Sequence, residues 1–113
     1  MAKEKPDFKR TALYRNLRDT MKTNLEARGL VEPIYLDMVQ RYLSFREMEY
    51  MADNDIAKNG LNIMDERRGS LMANPCVATK LNASRQATAI YRALGFEDEA
   101  KKARSSGDDD DDL

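Results

Sequence analysis

The chain of 113 residues has 19 Lys or Arg, 20 Asp or Glu and a formal net charge of −1. It contains no histidine and one cysteine, so the usual zinc sites, a Ser-His-Asp triad and a disulfide framework are excluded within the chain. We therefore expect a single domain that is not an enzyme and holds no metal or cofactor. No segment has the length of a membrane span or the layout of a signal peptide, which predicts a soluble cytoplasmic protein.

Charge is distributed unevenly along the chain. Eight basic and four acidic residues give residues 1–28 a net charge of +4, and residues 29–96 are neutral. Three basic and eight acidic residues give residues 97–113 a net charge of −5. A basic N-terminal segment and an acidic C-terminal segment predict two different polar partners, or an interaction of one end of the chain with the other.

The first predicted element is a helix over residues 7–28, after a flexible N-terminus at 1–6. Asp7 is a candidate N-cap, and Gly29 lies where a left-handed residue ends helices. A stripe spaced by four residues is predicted to be buried, and it consists of Leu13, Leu17, Met21 and Leu25.

Basic residues of this first segment form a candidate strip for phosphate contact. Arg15, Arg18 and Lys22 fall within about 60° of one another on the helical wheel. The candidate DNA-binding residues are Lys3, Lys5, Lys9, Arg10, Arg15, Arg18 and Lys22. The alternative is a solvated face of ordinary ion pairs, because Asp19 and Glu26 follow Arg15 and Lys22 by four residues. Spacing alone favours this alternative.

Residues 33–59 predict a long central helix, bounded by Pro33 and Gly60. The short connection before it predicts an antiparallel helical hairpin with the first helix. Its apolar arc covers roughly half the circumference, wider than the stripe of about 100° that faces a single core. Either two neighbours within the chain cover this arc, or part of it faces another copy. The candidate subunit-interface residues are Leu36, Val39, Tyr42, Leu43, Phe45 and Tyr50.

After Gly60, the pattern predicts a short β-hairpin or an irregular loop that turns near Glu66-Arg67-Arg68-Gly69. Arg67 and Arg68 are possible DNA contacts, although a charged turn is usually only solvated. An isolated two-stranded hairpin is only marginally stable, so it must pack against helices of this chain or against a neighbouring subunit.

Asn74-Pro75 predicts the start of a third helix over 75–94, which Gly95 ends. The many small residues on its broad face would allow close approach of another helix. Cys76, near the helix start, is interpreted as a small structural residue. A short fourth helix is predicted over 97–104.

Residues 105–113 predict a disordered acidic tail, because consecutive aspartates repel one another. The tail residues are Asp108, Asp109, Asp110, Asp111, Asp112 and Leu113. Such a tail solubilises the protein, docks on a basic partner or competes with nucleic acid for the protein's own basic surface. Solubilisation is the simplest interpretation from sequence alone.

The order of these elements resembles the small terminase subunit of tailed bacteriophages, over about Leu36 to Arg104. The resemblance rests on the helix NPCVATKLNASRQATAIYRALGF, with its Asn-Pro start and its Leu94-Gly95-Phe96 end. The tyrosine-bearing helix from Tyr42 to Tyr50 and the glycine at position 60 fit the same layout.

This resemblance implies a mainly α protein that forms homo-oligomeric rings and packages DNA without catalysis. Such proteins bind double-stranded viral DNA at the packaging start in the host bacterial cytoplasm. They also recruit and regulate the large terminase subunit, which holds the ATPase and nuclease. The acidic tail would then contact the large subunit, and the basic first helix would contact DNA.

The front of the chain departs from the family pattern, because it carries no distinct DNA-binding module. We therefore expect weak contacts to the DNA backbone that gain avidity from many copies in a ring. The alternative function is a small helical adaptor that acts through its acidic tail without binding DNA.

Overall fold

The computed structural model describes residues 7–102, and this part of the chain is mainly helical, as predicted. Its elements are a 3-10 turn at Phe8–Arg10, α1 at Ala12–Ala27, α2 at Pro33–Asn59, β1 at Asn62–Asp65, β2 at Ser70–Ala73, α3 at Pro75–Ala93, and α4 over residues 96–102. The molecule is elongated, with extents of 60 × 38 × 28 Å. None of the described helices is both long enough and apolar enough to cross a membrane.

The first helix begins later than the sequence pattern suggests. Asp7 caps only the 3-10 turn, where its carboxylate accepts from the backbone N of Lys9 at 3.3 Å. Thr11 then takes an extended conformation, and its hydroxyl accepts from the backbone N of Tyr14 at 3.1 Å. Because a threonine cap requires this non-helical backbone, the prediction of one helix from residue 7 is wrong, and α1 starts at Ala12.

The ends of α2 and α3 follow the predicted signals. Pro33 occupies the first position of α2, where a backbone N–H would have no hydrogen-bond acceptor within the helix, so the lack of one in proline costs nothing. Gly60 ends α2 with a φ of 88°, and its backbone N donates to the Ile56 carbonyl at 2.7 Å. Asn74 caps α3 through its side-chain oxygen, which accepts from the backbone N of Cys76 at 2.9 Å.

The core lies around α2, which packs against α1 on one side and α3 on the other. Its buried side chains are Met21, Leu25, Val39, Tyr42, Leu43, Ala87, Leu94 and Phe96. Phe8, just before α1, contacts Tyr50 of α2 with ring centroids 5.3 Å apart, as expected for an antiparallel α1–α2 pair. Small residues also bring α3 close to α2, because Ala83 and Ala87 are buried. Two intrachain neighbours therefore cover much of the wide apolar arc.

The segment between α2 and α3 is a β-hairpin, and the loop alternative is wrong. Its antiparallel register pairs Ile63 with Met72 and Asp65 with Ser70, so the turn falls at residues 66–69 as predicted. Gly69 has a φ of 64°, and its backbone N donates to the Asp65 carbonyl at 2.7 Å. Every residue of β2 is exposed, so the hairpin extends away from the core.

Candidate functional site

The basic face of α1 is defined here by Arg15, Arg18 and Lys22. Arg15 and Lys22 are exposed, and neither forms an ion pair with any residue in the described range 7–102. Asp19 instead bonds to Arg18, with 3.1 Å between the arginine Nε and the carboxylate Oδ1. The four-residue ion pairs predicted from Arg15 to Asp19 and from Lys22 to Glu26 are therefore not formed in the described part of the chain.

Arg18 is held more firmly than its two neighbours. Its guanidinium lies 5.5 Å from the Tyr14 ring centroid, and its side chain is 37% exposed. The hydrogen bond and the charge of Asp19 both raise the pKa of Arg18, so its positive charge is secure. The negative charge of Asp19 cancels much of the attraction that Arg18 would exert on an anion in solution. The basic face therefore attracts anions mainly through Arg15 and Lys22.

Lys9 and Arg10 extend the positive charge beyond the start of α1. Both are exposed residues of the 3-10 turn, and neither has a carboxylate partner among residues 7–102. Lys3 and Lys5, the remaining members of the predicted set, lie outside the described residues. The same holds for Asp108–Asp112 and Leu113, the predicted contact for the large subunit.

Arg67 and Arg68 lie on a different element from the basic face of α1. Both are exposed in the hairpin turn, and the Arg68 Nε is 3.8 Å from Asp65 Oδ2. Asp65 also accepts from the backbone N of Arg67 at 3.0 Å, so this carboxylate organises the turn. Their contact with DNA stays a prediction.

The six candidate interface residues of α2 occupy different environments. Val39, Tyr42 and Leu43 belong to the intrachain core, and Phe45 and Tyr50 are partly buried. Leu36 is 47% exposed and is the only one of the six that presents a large free apolar surface. Among the described residues, α2 also exposes Ile34, Met48 and Met51, none of which is among the six candidates.

Arg28 connects the end of α1 to the junction between α3 and α4. Its Nε donates to Asn24 Oδ1 at 2.7 Å, and its Nη2 donates to the Leu94 carbonyl at 2.8 Å. The guanidinium also lies 5.2 Å from the ring centroid of Phe96. The Leu94-Gly95-Phe96 motif therefore forms the docking point between α1 and the C-terminal part of the fold, a role that we did not predict for Arg28.

A second polar junction joins the end of α2 to the start of α3. Asn74 is 3% exposed, and its amide donates to Asp55 Oδ1 and to the Gly60 carbonyl, each at 2.9 Å. Hydrogen bonds from Asn74 and then Asn59 lower the pKa of Asp55. Desolvation, followed by the nearby Asp55 carboxylate, raises the pKa of Cys76, which fits a structural thiol better than a reactive one.

The geometry thus defines a small helical protein that presents a basic helix face and exposed apolar side chains on a tightly connected three-helix core. A family model described as "Phage terminase, small subunit" matches residues 15–111. The chain belongs to the family of phage terminase small subunits. Searches of curated proteins and of solved structures found no match.

Proposed function

We propose that this protein is the DNA-binding, ring-forming small subunit of a phage or prophage packaging machine. In this proposal it binds viral DNA at the packaging start and recruits and regulates the large ATPase/nuclease subunit without catalysing a reaction itself. The observation that carries DNA binding is the exposure of Arg15 and Lys22 on α1 without a carboxylate partner in the described part of the chain.

The spacing of these two cations suits a polyanionic backbone. Arg15 and Lys22 are seven residues apart, which places them about two helical turns, or roughly 10 Å, apart along α1. Each cation that neutralises a phosphate releases condensed counterions, so binding weakens steeply as salt rises. Such contacts fix position without reading sequence, and repetition in a ring supplies avidity.

The test is charge reversal with a control of matched geometry. Arg15→Glu/Lys22→Glu reverses two cations seven residues apart on α1. Arg85→Glu/Arg92→Glu reverses two exposed arginines at the same spacing on α3, where Arg92 also bonds to Glu97 at 2.9 Å, so folding of this variant is checked by circular dichroism. Binding to labelled double-stranded DNA is measured by fluorescence polarisation from 50 to 300 mM salt. We expect the α1 variant to lose most binding at low salt, whereas the α3 variant stays close to wild type.

A similar loss in both variants would mean that net charge, and not the α1 face, determines binding. No DNA binding by the wild-type oligomer at low salt would refute this function. The adaptor that never contacts DNA would then be the better interpretation of the basic front and the acidic tail.

Exposed apolar side chains support the oligomeric part of the proposal. Leu36, Met48 and Met51 lie on one central helix and are each at least 47% exposed, although α1 and α3 already pack against that helix. Contact with a neighbouring copy would remove this apolar area from water, at about 25 cal/mol per Å². Native mass spectrometry at near-physiological salt is the direct test, and one narrow population of high copy number is the expected result.

A further inference from the structure

The acidic end of the chain starts near the C-terminal end of α1. Arg28, which directly follows α1, donates to the Leu94 carbonyl and lies against Phe96. Phe96 begins α4, whose described part ends at residue 102, and eleven more residues follow in the sequence. The chain therefore leaves the described residues one short helix away from the C-terminal end of α1.

Charge on the two segments is complementary. Lys9, Arg10, Arg15 and Lys22 are four exposed cations that have no carboxylate partner among residues 7–102. Asp108–Asp112 supply five consecutive carboxylates, whose mutual repulsion nearby cations would relieve. A run of aspartates and a DNA strand present the same feature to this face, which is closely spaced negative charge.

The length of the chain is sufficient to bring these charges together. Lys22 and Arg15 lie six and thirteen residues before Arg28, or about 9 and 20 Å along the helix axis. The described part of α4 adds about 9 Å if it points directly away from α1. Ten further residues to Asp112 span at most about 33–36 Å. Even in that least favourable direction, the aspartate run reaches Lys22 and its end reaches Arg15.

We infer that Asp108–Asp112 dock on the basic face of α1 in the same chain and compete there with DNA phosphates. This inference rests on the proposed DNA-binding function and adds a regulatory contact to that face. A partner that binds the tail, such as the large subunit, would leave Arg15 and Lys22 available to DNA. Tail capture and DNA binding would then strengthen each other by the same factor, as linkage requires.

The first experiment compares DNA affinity among three full-length proteins. These are the wild type, a variant with all five aspartates changed to asparagine, and a control with all five changed to glutamate. Competition predicts that the asparagine variant binds double-stranded DNA about five- to tenfold more tightly at 50 mM salt, which is a modest coupling for two linked sites. The difference in DNA affinity between this variant and the wild type should decrease at higher salt, because salt screens both interactions. The glutamate control should bind DNA with the wild-type affinity.

The second experiment detects the contact itself without DNA. A water-soluble carbodiimide joins an amine and a carboxylate only when the two groups touch, so peptide mass spectrometry should find Lys22 linked to the 108–112 segment. Lys22→Arg is the control, because it keeps the charge but removes the amine. Mixing isotope-labelled and unlabelled protein before assembly separates links within a chain from links between chains.

Each outcome decides the inference. Equal DNA affinity in all three proteins, together with a loss of binding in Arg15→Glu/Lys22→Glu, would overturn tail competition and leave the proposed function intact. Tighter binding without a link to Lys22, or with links only between chains, would overturn docking within the chain and indicate long-range repulsion. Failure of every variant to bind DNA would refute the competition and the proposed function together.

Discussion

Replacing Gly95 with alanine should destabilise the fold more than a backbone effect alone can explain. Gly95 has a φ of +79°, a conformation that costs an L-residue about 1–2 kcal/mol. A Cβ at this position would lie 2.9 Å from Arg28 Nη1. Because this guanidinium donates to Asn24 and to the Leu94 carbonyl, moving it away should break one of these charged hydrogen bonds, which is worth about 1.5–3 kcal/mol. The expected loss in unfolding free energy is therefore about 2.5–5 kcal/mol.

Gly29 supplies a matched control for this prediction. Its φ is +74°, close to that of Gly95, but a Cβ there would meet nothing within 4 Å. Gly29→Ala should therefore cost only the backbone strain of about 1–2 kcal/mol. The difference between the two variants measures the contact with Arg28, which we expect to contribute about 1.5–3 kcal/mol.

The assay is urea unfolding followed by circular dichroism at one fixed protein concentration, since subunit association also contributes to apparent stability. Gly95→Ala is measured in the wild type and in an Arg28→Ala background. If Arg28 causes the extra loss, the cost of Gly95→Ala should fall in that background to the value for Gly29→Ala. Equal costs for the two glycine variants, or an unchanged cost without Arg28, would show that Arg28 does not cause the extra loss and would refute this prediction.

Three further changes test the rest of the structure. Asn74→Ala removes the α3 cap and leaves the Gly60 carbonyl without its buried donor, so urea unfolding should show a loss of about 2–3 kcal/mol. The hydrogen bonds to Asp55 lower its pKa below the usual 3.8, so the stabilisation that they give should be lost as the pH falls from about 4 through the lower folded-state pKa. Between pH 5 and pH 3, the free energy of unfolding should therefore fall less for Asp55→Asn than for the wild type. Met48→Gln/Met51→Gln should shift native mass spectra toward smaller assemblies, because the substituted side chains are more costly to desolvate at a subunit contact.

Each of these predictions has an outcome that contradicts it. An Asn74→Ser variant that loses as much stability as Asn74→Ala would show that capping contributes little, since serine keeps a capping oxygen. Equal acid sensitivity of Asp55→Asn and the wild type would exclude Asp55 as the relevant titrating group. Met64→Gln on the exposed hairpin is the control for the α2 pair, and an equal shift in assembly size would remove the special role of α2.

Helix ends were the most predictable part of the fold, because they depend on local chemistry. Pro33, Gly60 and Asn74-Pro75 each satisfy or terminate backbone hydrogen bonds within a few residues, so their effect can be derived from the sequence. The predicted start of the first helix at residue 7 was wrong because Asp7 and Thr11, four residues apart, are both good N-cap residues. Sequence alone could not decide which of them begins the longer helix.

The surface of α1 and α2 was less predictable than their helical character. Spacing favoured pairing of Arg15 with Asp19, whereas Asp19 bonds to Arg18, its immediate neighbour. Surface ion pairs differ by less than about 1 kcal/mol, so small differences in side-chain geometry select among them. The wide apolar arc of α2 could be predicted from the sequence, but its division between buried Val39 and exposed Leu36 depends on where α1 and α3 cross the helix.

Arg28 could not have been identified as a docking residue by any local pattern. In the sequence it is one more cation near a helix C-terminus, where it is expected to interact with the helix dipole. Its partner, the Leu94 carbonyl, is 66 residues away, and only the packing of α1 beside the α3–α4 junction brings the two together. The Leu94-Gly95-Phe96 motif is recognisable as a helix end, yet its glycine also leaves room for the guanidinium from another helix. The motif and Arg28 therefore depend on each other, which is why the Gly95→Ala variant must be measured with and without Arg28.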